Sequence, residues 1–145
     1  MGITAVLDTN IFLNVKNREK PYYTSSRQVL DAADDGQIHA IVSAVSIAEM
    51  CSGYHSARDE QGKEEFITHL VSSQTFTIVN LDLKVADAAG MIRAETGLRL
   101  PDAIIVASGL AKQAIYIVTH DEEFKKAKRY IKVVTSKELA QMLTR

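Results

Sequence analysis

Five short runs of apolar, mostly β-branched residues recur along the chain, and they constrain the fold more than any other feature. These runs are Ile3–Leu7, Ile38–Val42, Phe76–Val79, Ile115–Val118 and Ile131–Val134. Runs of about four to eight such residues are typical of buried strands. Because segments with helical periodicity lie between them, the pattern predicts a parallel sheet covered on both faces. We therefore expect an α/β fold, a three-layer α/β/α sandwich with a central, mostly parallel sheet of about five strands.

Three segments, two between these runs and one after the last run, carry clear helical signals. We predict helices over roughly residues 82–97, over residues 101–112 and from Thr135 through Leu143. The second helix is apolar nearly all round and has Pro101 at a favoured first-turn position. The last begins with the capping-box spacing of Thr135 and Glu138. The chain has 145 residues and no repeat or linker, so we expect one domain over residues 1–145.

Composition excludes several classes of protein. Cys51 is the only cysteine, which excludes an internal disulfide and a cysteine-based zinc cage. The net charge of -1 gives no overall attraction for nucleic acid, so such contacts would have to come from local basic clusters. The first residues lack the pattern of a signal peptide, and no apolar run approaches membrane-spanning length. We expect a cytoplasmic protein without a membrane contact.

Three acidic residues each stand as the only formal charge in a long uncharged stretch. Asp8 is alone in residues 1–15, Glu49 in residues 38–57, with His counted as neutral, and Asp102 in residues 100–111. The chain is 24% charged, so a 15-residue stretch would hold about three or four charges. A carboxylate among apolar residues is costly to bury unless a hydrogen bond, a cation or a metal compensates it.

Each acid also has a purely structural interpretation. Asp8 could form an Asx turn or cap a helix, and Asp121, after the fourth apolar run, could do the same. Glu49 follows Ser46 by three residues, which is the spacing of a capping box. Asp102 would be favoured by the helix dipole in a first turn. Capping and ligand binding therefore both stay open for each residue taken alone.

The conjunction of the four acids favours a metal site. All four fall at strand ends or in early helix positions, which line one edge of a parallel sheet. Two unit charges about 5 Å apart repel by roughly 3 kcal/mol at an effective dielectric constant near 20, so several carboxylates sharing a cleft need a cation. Oxygen ligands without cysteine or clustered histidine select Mg²⁺ or Mn²⁺. Such a site suits phosphoryl chemistry, in which the metal activates water.

Four segments that contain these acids resemble the motifs of a known family. They are Val6-Leu7-Asp8-Thr9-Asn10, Ser46-Ile47-Ala48-Glu49, Leu100-Pro101-Asp102-Ala103 and Thr119-His120-Asp121-Glu122-Glu123-Phe124. In order and context they resemble the motifs of PIN-domain ribonucleases, most closely the VapC toxins of prokaryotic toxin–antitoxin pairs. The resemblance runs from the first strand to the last.

The resemblance implies a function and a set of site residues. It implies one or two Mg²⁺ or Mn²⁺ ions on the catalytic acids Asp8, Glu49, Asp102 and Asp121, with Asn10 and Thr119 in support. It also implies single-strand-selective RNA hydrolysis by an activated water, a homodimer, and inhibition by a small VapB-like antitoxin. His120 departs from the Asn or Arg expected in the family. This difference could alter phosphate contacts, but we expect the side chain to be solvated.

The sequence specifies the residues that could bind RNA less well than it specifies the acids. Lys125 and Lys126 belong to the one basic cluster, just past Asp121, and could bind phosphates. Arg99 is a further candidate. The alternative is that the cluster is an ordinary solvated helix face. The tyrosines and phenylalanines share no pattern, so the sequence locates no base-stacking aromatic side chain.

Other functions of α/β proteins fit the sequence less well than a nuclease. Phosphatases of the haloacid-dehalogenase type need an acid where this chain has Asn10. A response-regulator receiver domain needs paired acids at the end of the first strand, and none precedes Asp8. Two alternatives stay open: a housekeeping RNA-processing PIN nuclease, and a non-catalytic PIN-like domain that binds RNA or a partner.

Overall fold

The computed structural model describes residues 2–143, and Met1, Thr144 and Arg145 lie outside the described residues. The strands are β1 (Ile3–Leu7), β2 (Ile38–Ser43), β3 (Phe76–Val79), β4 (Tyr116–Val118) and β5 (Lys132–Val134). All five predicted apolar runs form strands. The fourth and fifth strands begin one residue later than predicted.

Helices connect and cover these strands. They are α1 (Thr9–Lys16), α2 (Tyr23–Asp34), α3 (Ala44–Ser56), α4 (Glu60–Ser72), α5 (Leu83–Thr96), α6 (Leu100–Ala111), α7 (Ser136–Leu143) and the 3₁₀ helix Glu122–Ala127. The three predicted helices correspond to α5, α6 and α7. The capping box that opens α7 is complete, because Glu138 N donates to Thr135 Oγ1 and Thr135 N donates to Glu138 Oε1. Of the described helices, none is long and apolar enough to cross a membrane.

The sheet has the strand order β3-β2-β1-β4-β5, and every neighbouring pair is parallel. The predicted mostly parallel sheet of about five strands is therefore confirmed. From β1 the chain builds outward to β2 and β3 on one side and then crosses to β4 and β5 on the other. The strand order thus reverses between β1 and β4, and ligands of open α/β sheets bind outside the carboxyl ends of strands at such a point.

Two apolar cores lie on opposite faces of the sheet. On one face, α1, α2, α3, α4 and α7 pack around buried side chains that include Ile11, Val29 and Leu139. On the other face, α5, α6 and the 3₁₀ helix pack around Ile92, Val106 and their neighbours. The three-layer arrangement follows because both faces of a parallel sheet of apolar strands must be covered.

Helix α6 approaches the central strand unusually closely at Gly109. A Cβ atom at this position would lie 2.6 Å from Val6 Cγ1, closer than such atoms approach each other. The absence of a side chain therefore lets α6 pack directly on β1, two residues before Asp8. Asp102 precedes Gly109 by two helical turns, so both lie on the face of α6 that meets the sheet.

Candidate metal centre

Asp8 follows β1 and caps helix α1. Its Oδ1 accepts a hydrogen bond from Thr9 N at 2.8 Å, and its Oδ2 accepts one from the Thr119 hydroxyl at 2.7 Å. The residue is only 7% exposed. The capping interpretation is confirmed for this residue, while ligand binding stays a prediction that its place beyond the carboxyl end of the central strand still allows.

Glu49 is tied to the first helix by Thr9. Thr9 Oγ1 lies 2.6 Å from Glu49 Oε1 and 2.8 Å from the hydroxyl oxygen of Ser46. An ionised carboxylate only accepts hydrogen bonds, so Thr9 is the donor to Glu49, and it is also the donor in its contact with the Ser46 oxygen. Thr9 and Ser46 are buried, whereas Glu49 is exposed. The hydroxyl of Thr9 therefore orients one carboxylate oxygen of Glu49 and does not contact the other oxygen.

The capping-box alternative for Ser46 and Glu49 is wrong. Helix α3 begins at Ala44, and its N-cap is Ser43, whose hydroxyl accepts from Val45 N at 3.2 Å. The strand β2 runs directly into the helix, so the helix starts earlier than the Ser46 signal indicates. Glu49 consequently sits in the second turn, where it caps nothing.

Asp102 lies in the first turn of α6 and is 7% exposed. Its Oδ2 lies 3.5 Å from Arg99 Nε, while the Arg99 side chain is 77% exposed. This pairing compensates part of the charge of a nearly buried carboxylate. It also places an exposed guanidinium beside the acid, in a position where it can meet an incoming anion.

Asp121 follows β4 and caps the 3₁₀ helix. Its Oδ1 accepts from Glu123 N at 3.0 Å, and its own N–H donates to Thr119 Oγ1 at 3.0 Å. The capping role proposed for Asp121 is thus present. The Thr119 hydroxyl accepts from the backbone of Asp121 and donates to Asp8, so it joins the ends of β1 and β4.

The four acids influence one another electrostatically. Burial raises the pKa of Asp8 to about 6; the hydrogen bonds from Thr119 and Thr9 oppose the shift, while Asp102 and Glu49 add to it. Burial likewise raises the pKa of Asp102; Arg99 opposes that rise, and Asp121 and Glu49 reinforce it. The fold therefore brings all four predicted carboxylates to one edge of the sheet.

The donor set at this edge fits a hard divalent cation. It consists of carboxylate and hydroxyl oxygens, the ligands preferred by Mg²⁺ and Mn²⁺. Asn10 adds a buried side-chain oxygen, Oδ1, that has no hydrogen-bond partner within residues 2–143. Over the same residues, no three Asp, Glu, His or Cys side chains stand close enough together to hold an ion as they are oriented. A cation shared by these acids therefore stays a prediction.

His120 is not the solvated side chain that the sequence predicts. It is half-buried, and its Nε2 lies 2.9 Å from the Ser136 hydroxyl. Its ring stacks on Tyr22, with centroids 4.0 Å apart and an angle of 22° between the planes. Burial lowers the pKa of His120. His120 is held between α2 and α7, because residues of both helices contact its ring.

The two predicted lysine contacts lie on the 3₁₀ helix after Asp121, and both are engaged in ion pairs. Lys125 Nζ lies 2.7 Å from Glu122 Oε2, and Lys126 Nζ lies 2.6 Å from Glu123 Oε2. Both pairs are solvent-exposed, so they are weak individually. The net positive charge that the basic cluster offers to a phosphate is nevertheless reduced.

The fold and the site define an α/β protein with clustered carboxylates at the strand-order reversal of a parallel sheet. A family model described as PIN domain matches residues 5–130. The chain belongs to the PIN-domain family. No curated protein matches the sequence significantly.

Three solved structures are similar to the chain over most of its length. A toxin–antitoxin complex from Klebsiella pneumoniae is 25% identical, with a TM-score of 0.70, covering 91% of this chain and 97% of that chain. VapBC2 from Rickettsia felis, bound to a DNA fragment from its promoter, is 18% identical, with a TM-score of 0.69 and coverages of 92% and 98%. FitAcB from Neisseria gonorrhoeae is 20% identical, with a TM-score of 0.67 and coverages of 91% and 97%. The resemblance to VapC-like PIN proteins is confirmed.

Two residues of the site are missing from the sequence predictions. Thr9 anchors Glu49, and Ser46 completes that contact, but neither was expected to orient an acid. A signal was available for Thr9, because a hydroxyl residue directly after a strand-end acid starts a helix with its side chain at the same edge. For Ser46, the capping-box spacing indicated the wrong partner.

Proposed function

We propose that this chain is a Mg²⁺- or Mn²⁺-dependent endoribonuclease and the toxin of a toxin–antitoxin pair. The observation that carries the proposal is the buried carboxylate of Asp8. Its pKa is raised to about 6, mainly by burial, and Asp102 and Glu49 add to the rise. The Thr119 hydroxyl and the Thr9 amide orient the carboxylate, and Asp121 acts on the neighbouring Asp102. A structural cap has no need of such an arrangement, whereas a site for a divalent cation does.

The residues that would hold the metal are Asp8, Glu49, Asp102 and Asp121. When bound, the cation supplies an activated water and neutralises charge on the phosphate. Thr119 and Thr9 orient the carboxylates of Asp8 and Glu49 through hydrogen bonds, and the Asn10 side-chain oxygen is a further supporting group.

Three basic residues are proposed as contacts for the RNA backbone. Arg99 is the strongest of them, since its guanidinium is exposed beside Asp102. Lys125 and Lys126 would have to exchange their carboxylate partners Glu122 and Glu123 for phosphate oxygens. Their contribution to affinity is therefore expected to be smaller.

An antitoxin partner is supported by the similar structure from Klebsiella pneumoniae, which is a toxin–antitoxin complex. An apolar groove of about 360 Å³ lies between α1, α2, α3 and α4, and Phe12, Met50, Tyr54 and Phe66 are among the residues that line it. We propose that a segment of a small VapB-like antitoxin occupies this groove. A homodimer and a cytoplasmic location complete the proposal.

A cleavage assay tests the enzymatic part of the proposal. Structured and unstructured RNA would be incubated with wild-type protein and Mn²⁺, alongside Asp8→Asn and Asp102→Asn. We expect wild-type protein to cut unstructured RNA and both variants to lose activity while staying folded. Asp59→Asn is the matched control, because Asp59 also caps a helix through a backbone N–H but lies outside the acidic cluster. Full activity in either site variant would contradict the proposed centre.

The toxin assignment is tested separately from the chemistry. A short reading frame directly upstream of the gene would be co-expressed with it, and its product should co-purify and suppress cleavage. A nuclease that cuts RNA but has no such neighbour would instead be a housekeeping RNA-processing enzyme. A chain that binds RNA without cutting it would be a non-catalytic PIN-like domain.

A further inference from the structure

Tyr22 and His120 form a stacked aromatic pair beside the acidic cluster. Their ring centroids are 4.0 Å apart, and their planes differ by 22°. Tyr22 is 40% exposed although one face of its ring is stacked against the histidine. An aromatic surface of this kind is available to a further planar group from solvent.

A buried hydrogen-bond network holds the histidine of this pair in place. His120 Nε2 lies 2.9 Å from Ser136 Oγ, which in turn lies 2.6 Å from Ser25 Oγ and 3.2 Å from Ser26 Oγ. Ser26 donates to Asn14 Oδ1 at 2.9 Å. Three helices, α1, α2 and α7, therefore fix the ring. A rigid surface loses little conformational entropy when a ligand binds to it.

The pair lies at the same edge of the sheet as the acids. A short turn joins the end of α2 to the start of β2, and parallel strands start at the edge opposite the site. The beginning of α2, with Tyr22, is therefore at the carboxyl edge. His120 is itself the residue between Thr119, whose hydroxyl donates to Asp8, and Asp121, which is one of the four acids.

Unpaired positive charges precede the aromatic pair. Arg18 and Lys20 lie in the loop between α1 and α2, both are exposed, and neither makes an ion pair within the described part of the chain, residues 2–143. Lys125 and Lys126, in contrast, are paired with neighbouring glutamates. Proteins that bind single strands combine cationic groups along the backbone with aromatic side chains on which bases stack.

We propose that Tyr22 and His120 form a stacking site for one unpaired base of the RNA substrate, with Arg18 and Lys20 binding the adjoining phosphates. The inference rests on the proposed function and names a part of the substrate that the acidic cluster does not contact. An unpaired base is required, since a base inside a duplex has both faces covered. The site therefore provides a physical reason for cleavage of single-stranded rather than double-stranded RNA.

A coupling experiment with abasic RNA tests the stacking site. Binding of an unstructured oligonucleotide would be measured by fluorescence anisotropy in the Asp102→Asn background, so that the RNA stays intact. A single abasic nucleotide would be scanned along the strand. At one position we expect the missing base to weaken binding about fivefold or more, the effect of losing one base–aromatic stack. In Tyr22→Leu the same abasic nucleotide should have no further effect.

Matched variants separate stacking from general damage. Tyr22→Phe keeps the ring and should keep the abasic effect, as should Tyr23→Leu, which removes the neighbouring tyrosine instead. The double change Arg18→Ala and Lys20→Ala should lower the slope of log affinity against log salt by about 0.7 for each phosphate that is no longer bound.

Two outcomes would overturn the inference, and they differ. If wild-type protein cuts RNA but the abasic effect is the same in Tyr22→Leu, the stacking site is wrong and the nuclease proposal stands. If wild-type protein neither binds nor cuts RNA with Mn²⁺ present, the proposed function fails and the stacking site fails with it.

Discussion

The hydroxyl of Thr119 donates a hydrogen bond to Asp8 Oδ2 over 2.7 Å, although the two residues are 111 positions apart in the sequence. The same oxygen of Thr119 accepts the N–H of Asp121 at 3.0 Å. The hydrogen bond to Asp8 favours its ionised form, yet burial has the larger effect and raises its pKa to about 6. At neutral pH the fold therefore carries a buried negative charge that is unfavourable for its own stability.

Asp8→Asn should stabilise the metal-free protein at pH 8. An acid whose pKa is raised on folding contributes stability below its unfolded pKa, and that contribution is lost as the pH rises through its folded pKa. For Asp8 this interval runs from 3.8 to about 6. Asparagine stays neutral, so the free energy of unfolding should rise by up to about 3 kcal/mol at pH 8. Urea denaturation in EDTA at pH 4 and pH 8 measures it.

In the urea experiment, wild type and Asp8→Asn should have similar free energies of unfolding at pH 4. At that pH, Asp8 is largely protonated in the folded state and about half protonated in the unfolded state. Asp59→Asn should show no comparable gain at either pH. An Asp8→Asn protein that is no more stable than wild type at pH 8 would show that the buried charge costs little.

Divalent metal should raise the melting temperature, and the rise should depend on pH. A ligand at one hundred times its Kd stabilises the folded state by about 2.7 kcal/mol. For a chain of this size that corresponds to roughly 5–10 °C. Because protons compete for Asp8, the rise with Mg²⁺ or Mn²⁺ should shrink as the pH falls below about 6.

Thermal melts with metal and with EDTA at several pH values measure this effect. Asp102→Asn should lose the metal-induced rise, whereas Asp59→Asn should keep it. A rise of equal size at pH 5 and pH 8 would be evidence that the cation binds elsewhere.

Thr9→Val should damage the site without removing an acid. Valine has nearly the size of threonine but lacks the hydroxyl that contacts Glu49 and Ser46. Ser46 is then left buried without this partner, which should cost about 1–3 kcal/mol. Cleavage should fall because Glu49 is no longer oriented. Thr9→Ser restores the hydroxyl and should recover most of the activity. Equal cleavage rates for the two variants would argue against an orienting role.

Lys125→Ala combined with Lys126→Ala should change RNA binding only slightly. Both ammonium groups are already paired with Glu122 and Glu123. We expect the slope of log affinity against log salt to fall by less than about 0.7, the value for one phosphate of a single strand. Anisotropy titrations at several salt concentrations measure the slope. A fall of about 1.4, twice the single-phosphate value, would mean that both lysines exchange their partners for phosphate.

The layered fold was predictable because its signals are local. Runs of β-branched residues mark every strand, and Pro101 and the Thr135 capping box mark helix starts that depend only on nearby residues. The placement of Asp8 and Asp102 at one edge follows from the direction of parallel strands. The metal site itself stays a prediction.

The remaining features depend on contacts between residues far apart in the sequence. Helix α3 has two serines that could cap it, and only the continuation of β2 decides for Ser43 over Ser46. The stacking of Tyr22 on His120 joins residues from distant parts of the chain with no shared motif, so a search for patterns among the aromatic residues misses it. The lysine ion pairs, by contrast, have the three-residue spacing that a helical turn brings together, and they could have been predicted.

Gly109 sets how closely α6 approaches β1, and therefore where Asp102 lies relative to Asp8. A methyl group there would collide with Val6, and relief of the collision would lift the start of α6, with Asp102, away from the end of β1. In a relative with all four acidic motifs and a larger residue at this position, we expect the helix that carries the third acid to lie farther from the end of the central strand. The residue on the packing face of α6 should therefore be compared together with the motifs.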